Sequence, residues 1–288
     1  MTEPRLEQVQ CLGARGLHRM AYWEWGDAAN PRVLLCVHGL ARQARDFDTL
    51  AQSLSAHYRV VCPDVVGRGH SDWLADPTGY QLPAYVADMV TLLARLRADE
   101  VHWVGTSMGG LIGLGLASLP NTPLRKLVLN DVGPTIQAES LQRIGSYLGQ
   151  PGHWGSEEEA ADYLLTISQG FGPHTRAQWL ALTRPMLKPD GAGFKLHYDP
   201  AIAVPFRAVT PQIAQAGEAM LWQGYDAIRC PTLLLRGAQS DLLAPATAQA
   251  MTQRGPKATL HEFAGVGHAP TLVAPEQVQV VREFLLAP

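Results

Sequence analysis

The chain has 288 residues and a formal net charge of −3, with 47% hydrophobic and 17% charged residues. That length buries a sizeable core in one large domain or two small ones, and the composition excludes a disordered or collagen-like chain. The near-neutral charge leaves no electrostatic footprint for nucleic acid, and no apolar run reaches the roughly 18 residues of a membrane span.

The N-terminal stretch Met1 to Glu7 lacks a basic start followed by an apolar run. It predicts no signal peptide, and the expected location is cytoplasmic. Cys11, Cys36, Cys62 and Cys230 form no CxxC pair, so buried free thiols are expected rather than disulfides or a metal site.

In chain order, Leu6 to Cys11 and Gly16 to Trp25 read as an antiparallel edge pair. Short apolar runs follow at Val33–Val37, Tyr58–Cys62, Val101–Val104, Lys126–Leu129, Thr232–Leu235 and Ala258–Phe263. Runs that are apolar on both faces suit strands of a covered parallel sheet, and the spacers between them are long enough for crossover helices. Pro83 to Arg97 places Val86, Val90, Leu93 and Leu96 on one helical stripe. Pro245 opens another helix, and Pro275 to Leu286 repeats the stripe with Val278, Val281 and Leu285. Between Asp131 and Cys230 the rhythm breaks. Helix-like segments at Ser140–Leu148, Ser156–Ser168, Arg176–Leu187 and Pro211–Leu221 predict an all-helical insertion that acts as a cap.

The strongest local signal is Gly105-Thr106-Ser107-Met108-Gly109. It lies directly after a strand run and directly before a small-residue helix, the context of a nucleophile elbow. A turn that sharp leaves no room for side chains two residues before and after the serine. A serine hydroxyl needs a base, and His268, in a loop of small residues after the last strand run, is the candidate. The base needs a carboxylate to fix its tautomer. Asp241 is favoured because its loop adjoins the histidine strand. Asp131, at the end of the strand after the nucleophile helix, is the alternative, otherwise structural or an accessory at the cap hinge. An oxyanion needs preorganised N–H donors, and the main-chain N–H groups of Leu40 and Met108 are the expected pair. Asp64 to Asp72 reads as a structural loop at the same sheet edge. No Gly-Lys-Ser/Thr follows it, and there is neither GxGxxG at the elbow nor metal-ligand spacing, so no cofactor is expected.

Together, His38-Gly39, Asp64…Gly67-Arg68-Gly69-His70-Ser71, Gly105-Thr-Ser107-Met-Gly109, Gly237…Asp241 and Gly267-His268 resemble the α/β-hydrolase fold superfamily over nearly the whole chain. The resemblance implies a mostly parallel sheet of about eight strands with helices on both faces. It implies a core domain of residues 1–133 and 230–288 and a helical cap of 134–229. The nucleophile–acid–base order Ser107, Asp241, His268 is that of the superfamily.

Haloalkane dehalogenases and epoxide hydrolases of this fold carry Asp at the nucleophile, where this chain has Ser107. Meta-cleavage C–C hydrolases usually have Asn before the serine, haloperoxidase-like members tend to Phe there, and proline iminopeptidases have Trp after it; here the neighbours are Thr106 and Met108. The resemblance therefore implies a serine carboxylesterase acting on a small-molecule ester. Lactone or C–C bond hydrolysis on the same triad, or a ligand sensor on the same fold, are the alternatives. Among the cap aromatics Trp154, Phe171, Trp179, Phe194, Tyr198 and Trp222, one or two are expected to line an apolar pocket. Arg184, His197 and Arg207 are expected on a solvated face. The oligomeric state is not legible in the sequence.

Overall fold

A computed structural model describes residues 3–288. Eight strands form one sheet: β1 (Arg5–Gly13), β2 (Gly16–Trp25), β3 (Arg32–Val37), β4 (Arg59–Pro63), β5 (Glu100–Thr106), β6 (Leu124–Asn130), β9 (Thr232–Gly237) and β10 (Thr259–Phe263). Their order across the sheet is β1-β2-β4-β3-β5-β6-β9-β10. The hairpin β1–β2 is antiparallel, β2 joins β4 antiparallel, and every later pair is parallel. This is the expected mostly parallel sheet of eight strands.

Both faces of the sheet are covered, which is why its central strands are apolar throughout. On β3, Val33, Leu35 and Val37 enter one buried cluster and Leu34 and Cys36 the other. The first cluster is built with α2 (Leu82–Leu96), α3 (Met108–Ala117) and α9 (Pro245–Gln253), the second with α1 (Asp48–Leu54) and α10 (Pro275–Leu286). On α10, Val278, Val281 and Leu285 are buried as the stripe required. On α2 the buried face is rotated from the expected one. It carries Tyr85, Met89, Leu92, Leu93 and Leu96, while Val90 is 48% exposed. Tyr85 and Met89 fill the space under the sheet, leaving Val90 on the outer edge of the stripe.

The segment between β6 and β9 contains α4 (Ala138–Tyr147), α5 (Glu157–Ile167), α6 (Arg176–Thr183), α7 (Ala203–Arg207) and α8 (Pro211–Ala227). It is not all helical. Strands β7 (Leu187–Asp190) and β8 (Gly193–Leu196) form an antiparallel hairpin across a Gly191 turn with φ of 59°. The helix expected to reach Leu187 stops at Thr183, because Pro185 cannot continue it. Helix α8 also returns to the main body before residue 229. Tyr225 is fully buried and its hydroxyl donates to the Met251 carbonyl at 2.6 Å. Among the described residues, no helix is long and apolar enough to cross a membrane.

Candidate active site

The C-terminal ends of the parallel strands bring the candidate residues together. Ser107 sits between β5 and α3 with φ of 51° and ψ of −116°, a strained conformation for a residue with a side chain. The flanking glycines are sterically compelled. A Cβ on Gly109 would lie 1.9 Å from the Val37 carbonyl oxygen, and one on Gly105 2.2 Å from the Gly109 oxygen. The small-residue helix lets α3 approach the sheet, with Gly113 against the Trp103 ring.

Ser107 Oγ is 3.0 Å from His268 Nε2, and His268 Nδ1 is 2.7 Å from Asp131 Oδ2. A carboxylate only accepts, so Nδ1 carries the proton and the lone pair of Nε2 faces the serine hydroxyl. Asp131 is fully buried at the end of β6. Its carboxylate also accepts from the Gly237 N–H at 2.9 Å and from the Ser240 hydroxyl at 2.6 Å. Three donors satisfy a charge that burial would otherwise make costly.

Asp241 does not reach His268, and the sequence expectation for it is corrected here. It lies beyond the strand end, turned outward, where both carboxylate oxygens pair with Arg143 of α4 at 2.7 and 3.0 Å. The loop from Gly237 to Ser240 instead supplies donors to Asp131. The register explains the exchange. β6 lies between β5 and β9, and Asp131 N–H donates to the Leu235 carbonyl at 2.8 Å, so the end of β6 sits between the serine and the loop after β9.

The expected oxyanion donors lie on two supported turns. His38 is fully buried, and burial lowers its pKa to about 3, so its ring is neutral. Its Nε2 accepts from the Val65 N–H at 2.9 Å, which puts the proton on Nδ1, 2.7 Å from the Gly39 oxygen. In a trans peptide the N–H points opposite to the carbonyl, so fixing the Gly39 oxygen aims the Leu40 N–H the other way. Met108 opens α3, where helix geometry leaves the N–H without an intrahelical partner. Behind both turns lies Arg68, fully buried, donating to the Leu40 carbonyl at 2.9 Å, the Val66 carbonyl at 2.7 Å and the Tyr85 hydroxyl at 3.1 Å. Nothing in the sequence pattern singled out this buried cation as a brace.

A cavity of about 120 Å³ opens on Ser107 and His268. Its walls come from the His38–Phe47 turn and from the segment between β6 and β9, including Ile144, Tyr163, Leu164, Phe171 and Leu196. Of the aromatics flagged in the sequence, Phe171 and Tyr198 line it. Trp179 is buried between α5 and α6, its ring N–H on the Ala161 carbonyl at 2.7 Å. Arg184 pairs with Glu157 at 2.7 Å, and Arg207 donates to the Leu148 carbonyl at 3.1 Å. The loop from Asp64 to Asp72 is structural as expected. Asp64 accepts from the Ala44 and His70 N–H groups, and Gly67 and Gly69 bond to Asp199 and His197 of the inserted segment.

One group among the described residues has metal-ligand chemistry. Cys11, His18 and Asp88 hold their ligand atoms within 4.8 Å of one another beneath the β1–β2 hairpin. His18 Nε2 is 2.9 Å from Asp88 while its Nδ1 is buried without a partner, and burial, helped by the neighbouring Asp88 carboxylate, pushes the Cys11 thiol up to about 12. A thiol held in its protonated form is a poor ligand.

A doubly covered parallel sheet with a serine on a strained strand–helix turn defines an α/β-hydrolase. The model of the alpha/beta hydrolase family matches residues 34–279, and the chain belongs to that family. It is 56% identical over 285 residues to a 3-hydroxybutyrate-oligomer hydrolase of Cupriavidus necator, covering 98% of this chain and 97% of that one. An alpha/beta hydrolase structure from Novosphingobium aromaticivorans superposes with a TM-score of 0.86 at 35% identity, covering 99% of both chains. An esterase of Mycobacterium tuberculosis is 26% identical over 82% of this chain and 74% of its own length.

Proposed function

We propose that this protein is a serine hydrolase that cleaves carboxylic esters of short hydroxy-acid oligomers through an acyl-enzyme. Ser107 is the nucleophile, His268 the base, Asp131 the carboxylate that orients it, and the N–H groups of Leu40 and Met108 the oxyanion donors. The segment that follows β6, up to the return of α8 to the main body, acts as the cap that shapes the substrate cavity. The observation that carries the reading is the continuous hydrogen-bond chain from Ser107 Oγ through both ring nitrogens of His268 to Asp131.

His268 Nε2 takes the hydroxyl proton as Ser107 Oγ bonds to the ester carbonyl carbon. The carbonyl oxygen becomes an oxyanion held by the two main-chain donors. Asp131 stabilises the imidazolium without taking its proton. Nε2 then gives the proton to the leaving alkoxide as the C–O bond breaks. Water attacks the acyl group, losing a proton to His268, and that proton returns to Ser107 as the acid departs. The mechanism uses no metal or organic cofactor.

The substrate class follows from the 56% identical relative named for 3-hydroxybutyrate oligomers, which spans nearly the full length of both chains. The test is turnover of p-nitrophenyl butyrate and of the 3-hydroxybutyrate dimer by the purified protein, against Ser107→Ala. Both esters are expected to be hydrolysed, and the variant to be inert. Robust cleavage of lactones or vinylogous diketones with negligible action on either ester overturns the reading.

A further inference from the structure

We infer that Arg143 is a carboxylate receptor, so the site prefers esters whose leaving alcohol carries a free carboxylate. The inference rests on the ester-hydrolase reading above.

Three formally charged side chains line the cavity that opens on Ser107: Arg42, Asp46 and Arg143. Arg42 and Asp46 cancel, paired through two hydrogen bonds of 2.7 and 2.6 Å inside that cavity. Asp241, the partner of Arg143, does not line it. Asp241 lies in a neighbouring outer cleft, which Arg143 and His268 also border. One positive charge therefore borders the inner cavity while its matching carboxylate stands outside it. The surrounding walls are largely apolar, which strengthens its pull on a bound anion.

Arg143 is held ready by a weak competitor. Asp241 occupies Nε and Nη2 in the planar two-bond geometry that a guanidinium offers any carboxylate, and it leaves Nη1 without a carboxylate. The Asp241 side chain is 48% exposed, so water screens the pair and its hold on Arg143 is modest.

The position selects the leaving-group side. His268 delivers its proton to the departing oxygen, so the alcohol lies on the His268 side of the scissile bond. The outer cleft is bordered by both His268 and Arg143, which places the cation beside the ring that protonates the departing oxygen. A β-hydroxy acid leaving group puts its carboxylate two carbons from the departing oxygen, directed toward such a cation.

The probes are 3-(butanoyloxy)butanoate and its methyl ester, which share the acyl group and the scissile bond and differ in the carboxylate alone. The readout is the ratio of kcat/KM for the acid to kcat/KM for the methyl ester, measured within each variant so that a general loss of activity cancels. Arg143→Gln is expected to lower the ratio roughly tenfold, chiefly through KM for the acid. Asp241→Asn removes the competing carboxylate and is expected to raise it. Added salt is expected to lower the wild-type ratio. Should Arg143→Gln fold poorly, the Asp241 variant and the salt series carry the test. A ratio that none of these moves, or one that falls in Asp241→Asn, overturns the inference while leaving the hydrolase reading in place. Wild-type protein that hydrolyses neither probe nor p-nitrophenyl butyrate overturns both.

Discussion

Asp131 and His268 meet at 2.7 Å although 137 residues separate them in the chain. Asp241 is turned away and joined to Arg143. If Asp131 fixes the imidazole, Asp131→Asn lowers kcat on p-nitrophenyl butyrate by about 10⁴-fold, because an amide N–H stabilises the wrong tautomer. Asp241→Asn stays within a few-fold of wild type. Steady-state rates with circular dichroism as a folding control decide the matter, and equal losses in the two variants contradict the assignment.

The elbow glycines set a steric limit. The Cβ of Gly109→Ala collides with the backbone of β3, whereas a Cβ at Gly217 on α8 meets nothing within 4 Å. Gly109→Ala is expected to lose about 4 kcal/mol or more, or to fail to fold. Gly217→Ala is expected to gain about 0.5–1 kcal/mol from helix propensity alone. Urea unfolding of the two proteins measures both.

Arg68 braces the turn that carries Leu40. Arg68→Met keeps much of the volume but strips donors from the Leu40 and Val66 carbonyls and from the Tyr85 hydroxyl. Unmet buried acceptors predict a loss of about 3 kcal/mol in urea unfolding. A lower kcat should accompany it as the turn loosens. Unchanged stability contradicts the brace.

Acid should destabilise the protein. Burial lowers the pKa of His38 to about 3, and burial with the nearby Lys126 charge lowers that of His102 to about 4. Both rings are neutral in the folded state and take up protons on unfolding between those values and 6.5. The stability they contribute is fully present above pH 6.5 and is lost as the pH falls. Asp64 acts oppositely. Burial raises its pKa to about 6, so between about 4 and 6 it releases a proton on unfolding. For His38, His102 and Asp64 together the balance near pH 5 is an uptake of about one proton, and His197, lowered to about 4 by burial and the neighbouring His70 charge, adds to it in the same direction, so about 1.4 kcal/mol or more is lost per unit of acidification. Unfolding free energies from pH 7.5 to 4.5 check the slope, and a flat or inverted profile contradicts it.

The sheet, the elbow and the histidine were legible because each has a local signature: apolar runs, glycines that a sharp turn compels, and small residues around His268. The acid was not, because two aspartates follow strand ends at one sheet edge and the distinction is three-dimensional. Proximity of the loops after β9 and β10 favoured Asp241. What decides is that Asp131 directly ends β6, next to β5, while Asp241 lies four residues past its strand, within reach of α4. The hairpin β7–β8 escaped notice because its strands are four residues long and carry Lys188, Pro189 and Lys195 in place of an apolar run. Arg143 had no sequence signal at all, since its position depends on how α4 settles over the sheet edge.

Labelling with a fluorophosphonate, followed by peptide mapping, tests the central claim most directly. The account predicts a single adduct on Ser107, formed at least about 100-fold more slowly in Asp131→Asn and at close to the wild-type rate in Asp241→Asn. An adduct on another residue, or undiminished labelling of Ser107 without the Asp131 carboxylate, contradicts it.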